Sequence, residues 1–157
     1  MIIRCANEAD YNELALMKWE HGAEDDIDYG EHNLDGVNKD VFIEEFVAFL
    51  KEHKEYEIIV AEENSIVVSA MFVYLIPKLP KPNGYAKYIA YLTNVYTKKE
   101  YRNKGIGTQM MHYIKSNLIE KKCELLFAWP SDNSIAWYQR NGFNGNNEIF
   151  ECPLCEE

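Results

Sequence analysis

The sequence predicts a mixed α/β domain, and three observations carry that prediction. Apolar residues recur at helical spacing in three stretches, near residues 11–18, 43–50 and 110–118. Between them lie "YEIIVAEE", "SIVVSAMFVYLI" and "KYIAYLTNVYT", whose branched and aromatic residues suit a pleated surface. No repeat and no Gly-, Ser- or Pro-rich linker divides the 157 residues, so residues 1–157 read as one domain.

The elements follow in order. "MIIRCA" reads as a first strand, and Asn7 as the cap of a helix with Tyr11, Leu14, Ala15 and Lys18 along one face. Residues 20–36, "EHGAEDDIDYGEHNLDG", are acidic, glycine-punctuated and poorly periodic, which predicts a loop or a short irregular helix. In "DVFIEEFVAFLKEH", Ile43, Phe46, Val47 and Leu50 give the stripe of a second helix. Two strands joined by "ENS" form an antiparallel hairpin, and "PKLPKPNGY" connects to a fourth strand because proline cannot continue a ladder. After Gly105-Ile106-Gly107, the residues Met110, Met111, Ile114 and Leu118 mark a third helix ending near Lys121 and Lys122. "CELLFAW" is a fifth strand. "SDNSIAWYQRNG" is a short helix capped by Ser131 or Asp132 and stopped by Gly142, and "FNGNNEIFECP" is a last strand.

Composition narrows the function. The net charge of -10 argues against nucleic acid and anionic membrane surfaces, which are held largely by Lys and Arg, and suits cationic small molecules or basic peptides. No apolar run approaches the roughly 20 residues of a membrane helix. "MIIRCANEAD" lacks the features of a signal peptide, so a cytoplasmic chain is expected. Cys5 and Cys123 read as buried thiols. The pair Cys152 and Cys155 lacks the two further ligands of a zinc site and lies in a tail rather than at a helix start, so no metal is expected.

The basic island Lys98, Lys99, Arg102 and Lys104 stands against this acidic background, beside Gly105 and Gly107 where a strand enters a helix. Unpaired amides and the helix dipole favour an anion there, and glycine admits its close approach. The spacing fits neither a P-loop nor the G-x-G-x-x-G fingerprint, since position 110 is Met. The glycine pair alone is equally compatible with an ordinary turn bearing solvated lysines.

The wider arrangement says more. "VYTKKEYRNKGIG" resembles the acetyl-CoA-binding element of the GCN5-related N-acetyltransferases, [RQ]-x-x-G-x-[GA] after a strand, through Arg102, Gly105 and Gly107. Downstream, "NSIAWYQRNGF" is similar to a second element of that family through Asn133, Ala136, Tyr138, Gly142 and Phe143. The resemblance implies a GNAT-like fold: a central, mostly antiparallel sheet splayed between the fourth and fifth strands and flanked by about four helices. It implies acetyl-CoA as co-substrate and direct transfer to a primary amine of a small molecule or peptide. The alternative is a non-catalytic acyl-CoA-binding regulator of the same fold.

By position, the resemblance assigns pantetheine to the backbone of Val95, Tyr96 and Thr97. It assigns the pyrophosphate to the amides of Asn103, Lys104, Gly105, Ile106, Gly107 and Thr108, flanked by the Arg102 and Lys104 side chains, with a further contact from Asn133. Tyr138 would protonate the leaving thiolate; otherwise it is a core aromatic beside Trp137. Relatives often carry a Glu base on the fourth strand. The corresponding position falls near Tyr91, with Asn94 close by but on the opposite face by strand alternation. Neither is a carboxylate, so an ordered water held by Asn94, Tyr91 or a backbone carbonyl is the expected route for the amine proton. The acidic loop with Glu20, His21, Glu24, Asp25 and Asp26 is a remote supplier, or simply solvated. Trp129 reads as a core residue or as part of the acceptor pocket. The aromatic content, with 11 tyrosines, is compatible with a homodimer.

Overall fold

Branched and aromatic runs become strands here, and the central ones, β2 and β3, are buried on both faces while β1 and β5 are more exposed. β1 (Ile2–Cys5), β2 (Tyr56–Glu63), β3 (Ile66–Pro77), β4 (Tyr88–Thr97) and β5 (Cys123–Phe127) form one sheet in the order β1-β2-β3-β4-β5. Neighbours are antiparallel except β4 and β5, which are parallel. The helices are α1 (Tyr11–Tyr29), α2 (Lys39–Glu52), α3 (Ile106–Glu120) and α4 (Ile135–Arg140). The structure is a computed structural model and describes residues 1–145, 149, 150, 152 and 154. The β2–β3 hairpin turns at Asn64 and Ser65, both left-handed with φ of 52° and 64°, the geometry whose twist matches a hairpin.

The sheet divides the core by strand alternation. Ile59, Ala61, Met71 and Val73 pack with Met110, Met111, Ile114 and Leu118 of α3. Ile58, Val60, Ala70 and Phe72 pack on the other face with Leu14 and Met17 of α1 and Leu50 of α2. β4 and β5 pair only as far as Tyr91 and Phe127, while β4 stays paired with β3 to Thr97. The strands therefore part over the second half of β4.

Several sequence expectations change. α1 runs unbroken to Tyr29 and ends at left-handed Gly30, so residues 20–29 of the acidic stretch continue a regular 19-residue helix where a loop or a short irregular helix is expected. Tertiary contacts hold that half: Glu24 is bonded by Arg102 and Tyr96, and Asp26 accepts the amides of Asn33 and Leu34. Asn7 caps a 3-10 turn, Glu8–Asp10, that leads into α1. Another such turn, Asp132–Ser134, has Ser131 at its N-cap and leads into α4, whose own N-cap is Ser134; neither cap makes a side-chain capping bond. Cys5 is exposed rather than buried, because it ends an edge strand; Cys123 is half-buried. Residues 143–145, 149, 150 and 152 lie in neither helix nor strand, and the rest of the expected last strand, with Cys155, lies outside the described residues.

One polar cluster joins β1, β2 and the start of α1. Arg4 donates to both Asp10 oxygens at 2.8 and 2.9 Å and to Glu62 at 2.7 Å. Those bonds from Arg4 hold the Asp10 carboxyl below its ordinary 3.8, against the opposing effect of burial. A lowered folded-state pKa means that the stabilisation is present above pH 3.8 and is lost as pH falls through the folded value. Asp10→Asn is expected to cost about 1–3 kcal/mol at pH 7 in urea denaturation and to flatten the fall in stability below pH 4. A wild-type acid limb in the variant would refute the assignment.

Candidate functional site

Where β4 and β5 part, a cleft of about 720 Å³ opens. β4 contributes Tyr91, Asn94, Val95, Tyr96 and Thr97 to its wall. The turn into α3 contributes Arg102, Asn103, Gly105, Ile106, Gly107 and Thr108, and the α4 segment Asn133 and Tyr138. Lys104 is not part of the lining; its ammonium sits 5.0 Å from the centre of the Tyr101 ring. α1 closes the remaining side with His21, Glu24, Asp25 and Asp28, from the stretch read as a loop.

A bulge shapes the β4 wall. Phe72 pairs with Thr93 and Ala70 with Tyr96, so Met71 alone faces both Asn94 and Val95. Asn94 takes the left-handed conformation, φ 48°, which asparagine tolerates better than most side chains. The extra residue reverses the alternation beyond it. Ala90, Leu92 and Val95 pack on the α3 side, whereas Tyr96 packs on the α1 side. The expectation that Asn94 and Tyr91 lie on opposite faces therefore fails, and both line the cleft. Tyr91 stacks on Phe127 at 5.4 Å, with Trp129 edge-on to both rings.

The Tyr96 ring is a hub. Its hydroxyl donates to Glu24 Oε1 at 2.7 Å, the Arg102 guanidinium lies over the ring at 5.4 Å, and His21 stacks on it at 5.1 Å. Burial and the Glu24 bond push its phenol well above the ordinary range. Arg102 Nη2 donates to Glu24 Oε2 at 2.6 Å and Nε to the Thr97 carbonyl at 2.8 Å. Burial works to raise the Glu24 pKa, but the bonds from Arg102 and Tyr96 outweigh it and hold the carboxyl below its ordinary value. Lys98 pairs with Glu13 of α1. Two of the four cations in the basic island thus face α1 carboxylates, which was not legible without the fold.

His21 Nε2 lies 3.6 Å from Asp25 Oδ2. Burial lowers the His21 pKa and Lys18 adds to that, while Asp25, Asn94 and Glu24 oppose it. Burial raises Asp25. His21 and Asp25 are four apart, a spacing that puts both on one face of a helix, but the segment's glycines and poor apolar periodicity hid the helix.

The opening of α3 suits an anion. Its N-cap, Gly105, is left-handed with φ 76°, no side chain caps it, and a Cβ there would meet nothing within 4 Å. At Gly107 a Cβ would come within 3.1 Å of Trp137, so glycine also lets α4 approach. This chain's groups therefore fit a diphosphate: free first-turn amides, the helix dipole and open space above them. Across the cleft, Tyr138 is 8 % exposed and edge-on to Trp137 and Phe143. Burial, with a smaller effect of Tyr91, pushes its pKa up to about 12, so the phenol keeps its proton at neutral pH. Asn133 sits in the turn before α4, and its backbone N–H donates to the Tyr29 hydroxyl at 3.4 Å. Among the described residues no group of three His, Cys, Asp or Glu side chains is placed to hold a metal ion, and no helix is long and apolar enough to cross a membrane.

Comparison with known proteins follows the same lines. The family model of the acetyltransferase (GNAT) domain matches residues 54–144. A predicted acetyltransferase from Clostridium acetobutylicum, crystallised with acetyl-CoA, superposes with a TM-score of 0.76 at 21% identity over 98% of this chain and 96% of that one. A GCN5-related N-acetyltransferase from Ralstonia eutropha JMP134 gives 0.75 at 17% identity over 97% of each chain. A possible acetyltransferase from Clostridium difficile 630 gives 0.71 at 18% identity over 99% and 98%. The search of curated proteins finds no match.

The left-handed bulge makes a direct prediction. Asn94→Val is expected to cost about 1–2 kcal/mol, since a branched side chain is strained at that φ. Asn94→Gly should stay within about 1 kcal/mol of the wild type. Urea denaturation of the pair checks this, and equal losses would refute a left-handed residue 94.

Proposed function

The chain belongs to the GNAT acetyltransferase family, and from that premise we propose that it is a cytoplasmic, acetyl-CoA-dependent N-acetyltransferase acting directly on a primary amine of a small molecule or peptide. The observation that carries the proposal is the uncapped start of α3 opening into the same cleft as the parted edge of β4 and the Tyr138 ring. Acetyl-CoA supplies an acyl group already activated as a thioester. The amides of residues 103–108 hold the diphosphate, and the β4 backbone at Val95 and Thr97 aligns the pantetheine arm. Arg102 acts mainly through Glu24 and Thr97, fixing the turn, so the backbone carries most of the anion binding.

Tyr138 protonates the departing sulfur. A phenol near pKa 12 is a weak acid, but the apolar surroundings that raise it also raise the basicity of a thiolate beside it. The acceptor enters past α1, where Asp25 and Asp28 favour a cation. An alkyl amine of pKa about 10 is only about one part in a thousand neutral at pH 7, so the site must also remove a proton.

Calorimetry with CoA and thiol release with a panel of amines test this reading and separate it from a binding-only regulator. The wild type should bind CoA and release thiol only when an amine is present. Gly105→Glu should weaken CoA binding by about 100-fold or more, because its carboxylate would face the diphosphate. Tyr138→Phe should keep CoA affinity and lose about 100-fold in turnover. Unchanged CoA affinity in the first variant would overturn the placement, and unchanged turnover in the second would overturn the acid.

A further inference from the structure

The cleft holds a pair of buried polar atoms that the acyl-carrier reading leaves unused. Among the described residues, His21 Nδ1 and Asn94 Oδ1 are both buried without a hydrogen-bond partner at bonding geometry, yet the Asn94 side chain is close enough to favour the protonated ring. Two such atoms in one wall are costly unless they serve each other or a ligand. An imidazole N–H and an amide oxygen are complementary, so a small closure satisfies both: Nδ1 donates and Oδ1 accepts. That tautomer leaves the lone pair on Nε2, the nitrogen 3.6 Å from Asp25. The ring plane is fixed by its stack on Tyr96, itself tied to Glu24 beneath Arg102. Asn94 reaches His21 because the bulge turns it toward α1, so an irregularity in β4 and a face of α1 meet at one imidazole.

Resting on the acetyltransferase reading, we propose that His21 Nε2 is the general base that deprotonates the acceptor amine, with Asn94 and Asp25 as its positioning residues. The acceptor arrives as an ammonium and is drawn between the Asp25 carboxylate and Nε2. Nε2 takes one proton and the ring becomes an imidazolium held by Asn94 Oδ1 and Asp25. The freed nitrogen lone pair forms the C–N bond to the thioester carbonyl carbon, and the C–S bond breaks with its electrons on sulfur. The sulfur takes a proton from Tyr138, the second amine proton restores the phenol, and the imidazolium returns its proton to solvent. The sum is ammonium plus thioester giving amide, thiol and one proton.

The charged and titratable groups facing the ring are Asp25, Lys18 and Glu24 from α1 and Tyr96 from β4, with Arg102 beyond Glu24. Their balance, led by burial, keeps the ring neutral at pH 7 and able to accept a proton. The base form exists above the His21 pKa, so kcat/KM should rise through an ionisation below the ordinary 6.5.

The test uses the full chain with acetyl-CoA and four probe acceptors: butylamine, 2-phenylethylamine, 1,4-diaminobutane and a lysine-containing peptide. His21→Phe preserves the stack on Tyr96 and removes both nitrogens. It should keep acetyl-CoA affinity, lose about 10²–10⁴-fold in kcat at pH 7 and lose the acid limb of the pH profile. Asp25→Asn should move that limb to lower pH, because the carboxylate raises the His21 pKa. Asn94→Gly should move it the same way, a displacement that a purely structural role would not produce. A readout free of any acceptor is ¹⁵N NMR of the four histidines with acetyl-CoA bound, with His21 assigned from the Phe variant. The Nδ1–H tautomer is expected. A wild-type rate or acid limb in His21→Phe, or the Nε2–H tautomer in the wild type, overturns the base and leaves the family reading standing. A wild-type chain that binds no acetyl-CoA overturns both.

Discussion

Parallel pairing between β4 and β5 ends at Tyr91, and the rest of the site depends on that limit. Two parallel strands share a ladder only while they lie side by side; once they diverge, each keeps donors and acceptors that need other partners. β4 remains fixed by β3 on its far side to Thr97, so its free edge is rigid although unpaired. A rigid, polar, unpaired edge is an unusual thing to leave in a core. Here it becomes one wall of a cleft, with the start of α3 at one end and Tyr138 across from it.

The bulge at Asn94 acts within that frame. One extra residue opposite Met71 moves Tyr96 to the α1 side and leaves Val95 packed toward α3. Without it, Tyr96 could not offer its hydroxyl to Glu24 or its face to His21 and Arg102. These contacts dock the second half of α1 over the cleft, which is why an acidic, glycine-interrupted segment is ordered as helix. Lys98 with Glu13 adds a second tie between the end of β4 and the same helix. The chain's acidity is therefore not uniform decoration: part of it pairs with Lys98 and Arg102 of the basic island.

The two faces of the sheet carry different duties. The α3 face is apolar and densely filled, with Met110 and Met111 at or below 1 % exposure, and it holds the turn at Gly105 in place. On the α1 face, next to an apolar core of its own, lie Arg4 with Asp10 and Glu62, and His21 with Asp25. The division gives the sheet one apolar face and one that carries partly buried polar groups. It also places the one left-handed strand residue, Asn94, at the seam between them.

Much of this was legible from residue order alone. Short-range rules determined the strands through Tyr56–Glu63, Ile66–Pro77 and Tyr88–Thr97, the apolar stripe of α3, and the glycine entry at Gly105, because periodicity, branching and left-handed turns are properties of neighbouring residues. The glycine pair Gly105 and Gly107 beside the basic island stood out for the same reason, whereas Tyr138 was picked out only by resemblance to a family element. Only the tertiary structure decided that residues 20–29 are helical, that Arg102 is engaged by Glu24, and that His21 lies against Asn94 and Tyr96. Each of those rests at least in part on contacts between residues more than 70 positions apart. A local pattern carries no trace of such a partner, and the bulge that brings them together is a property of two strands rather than one.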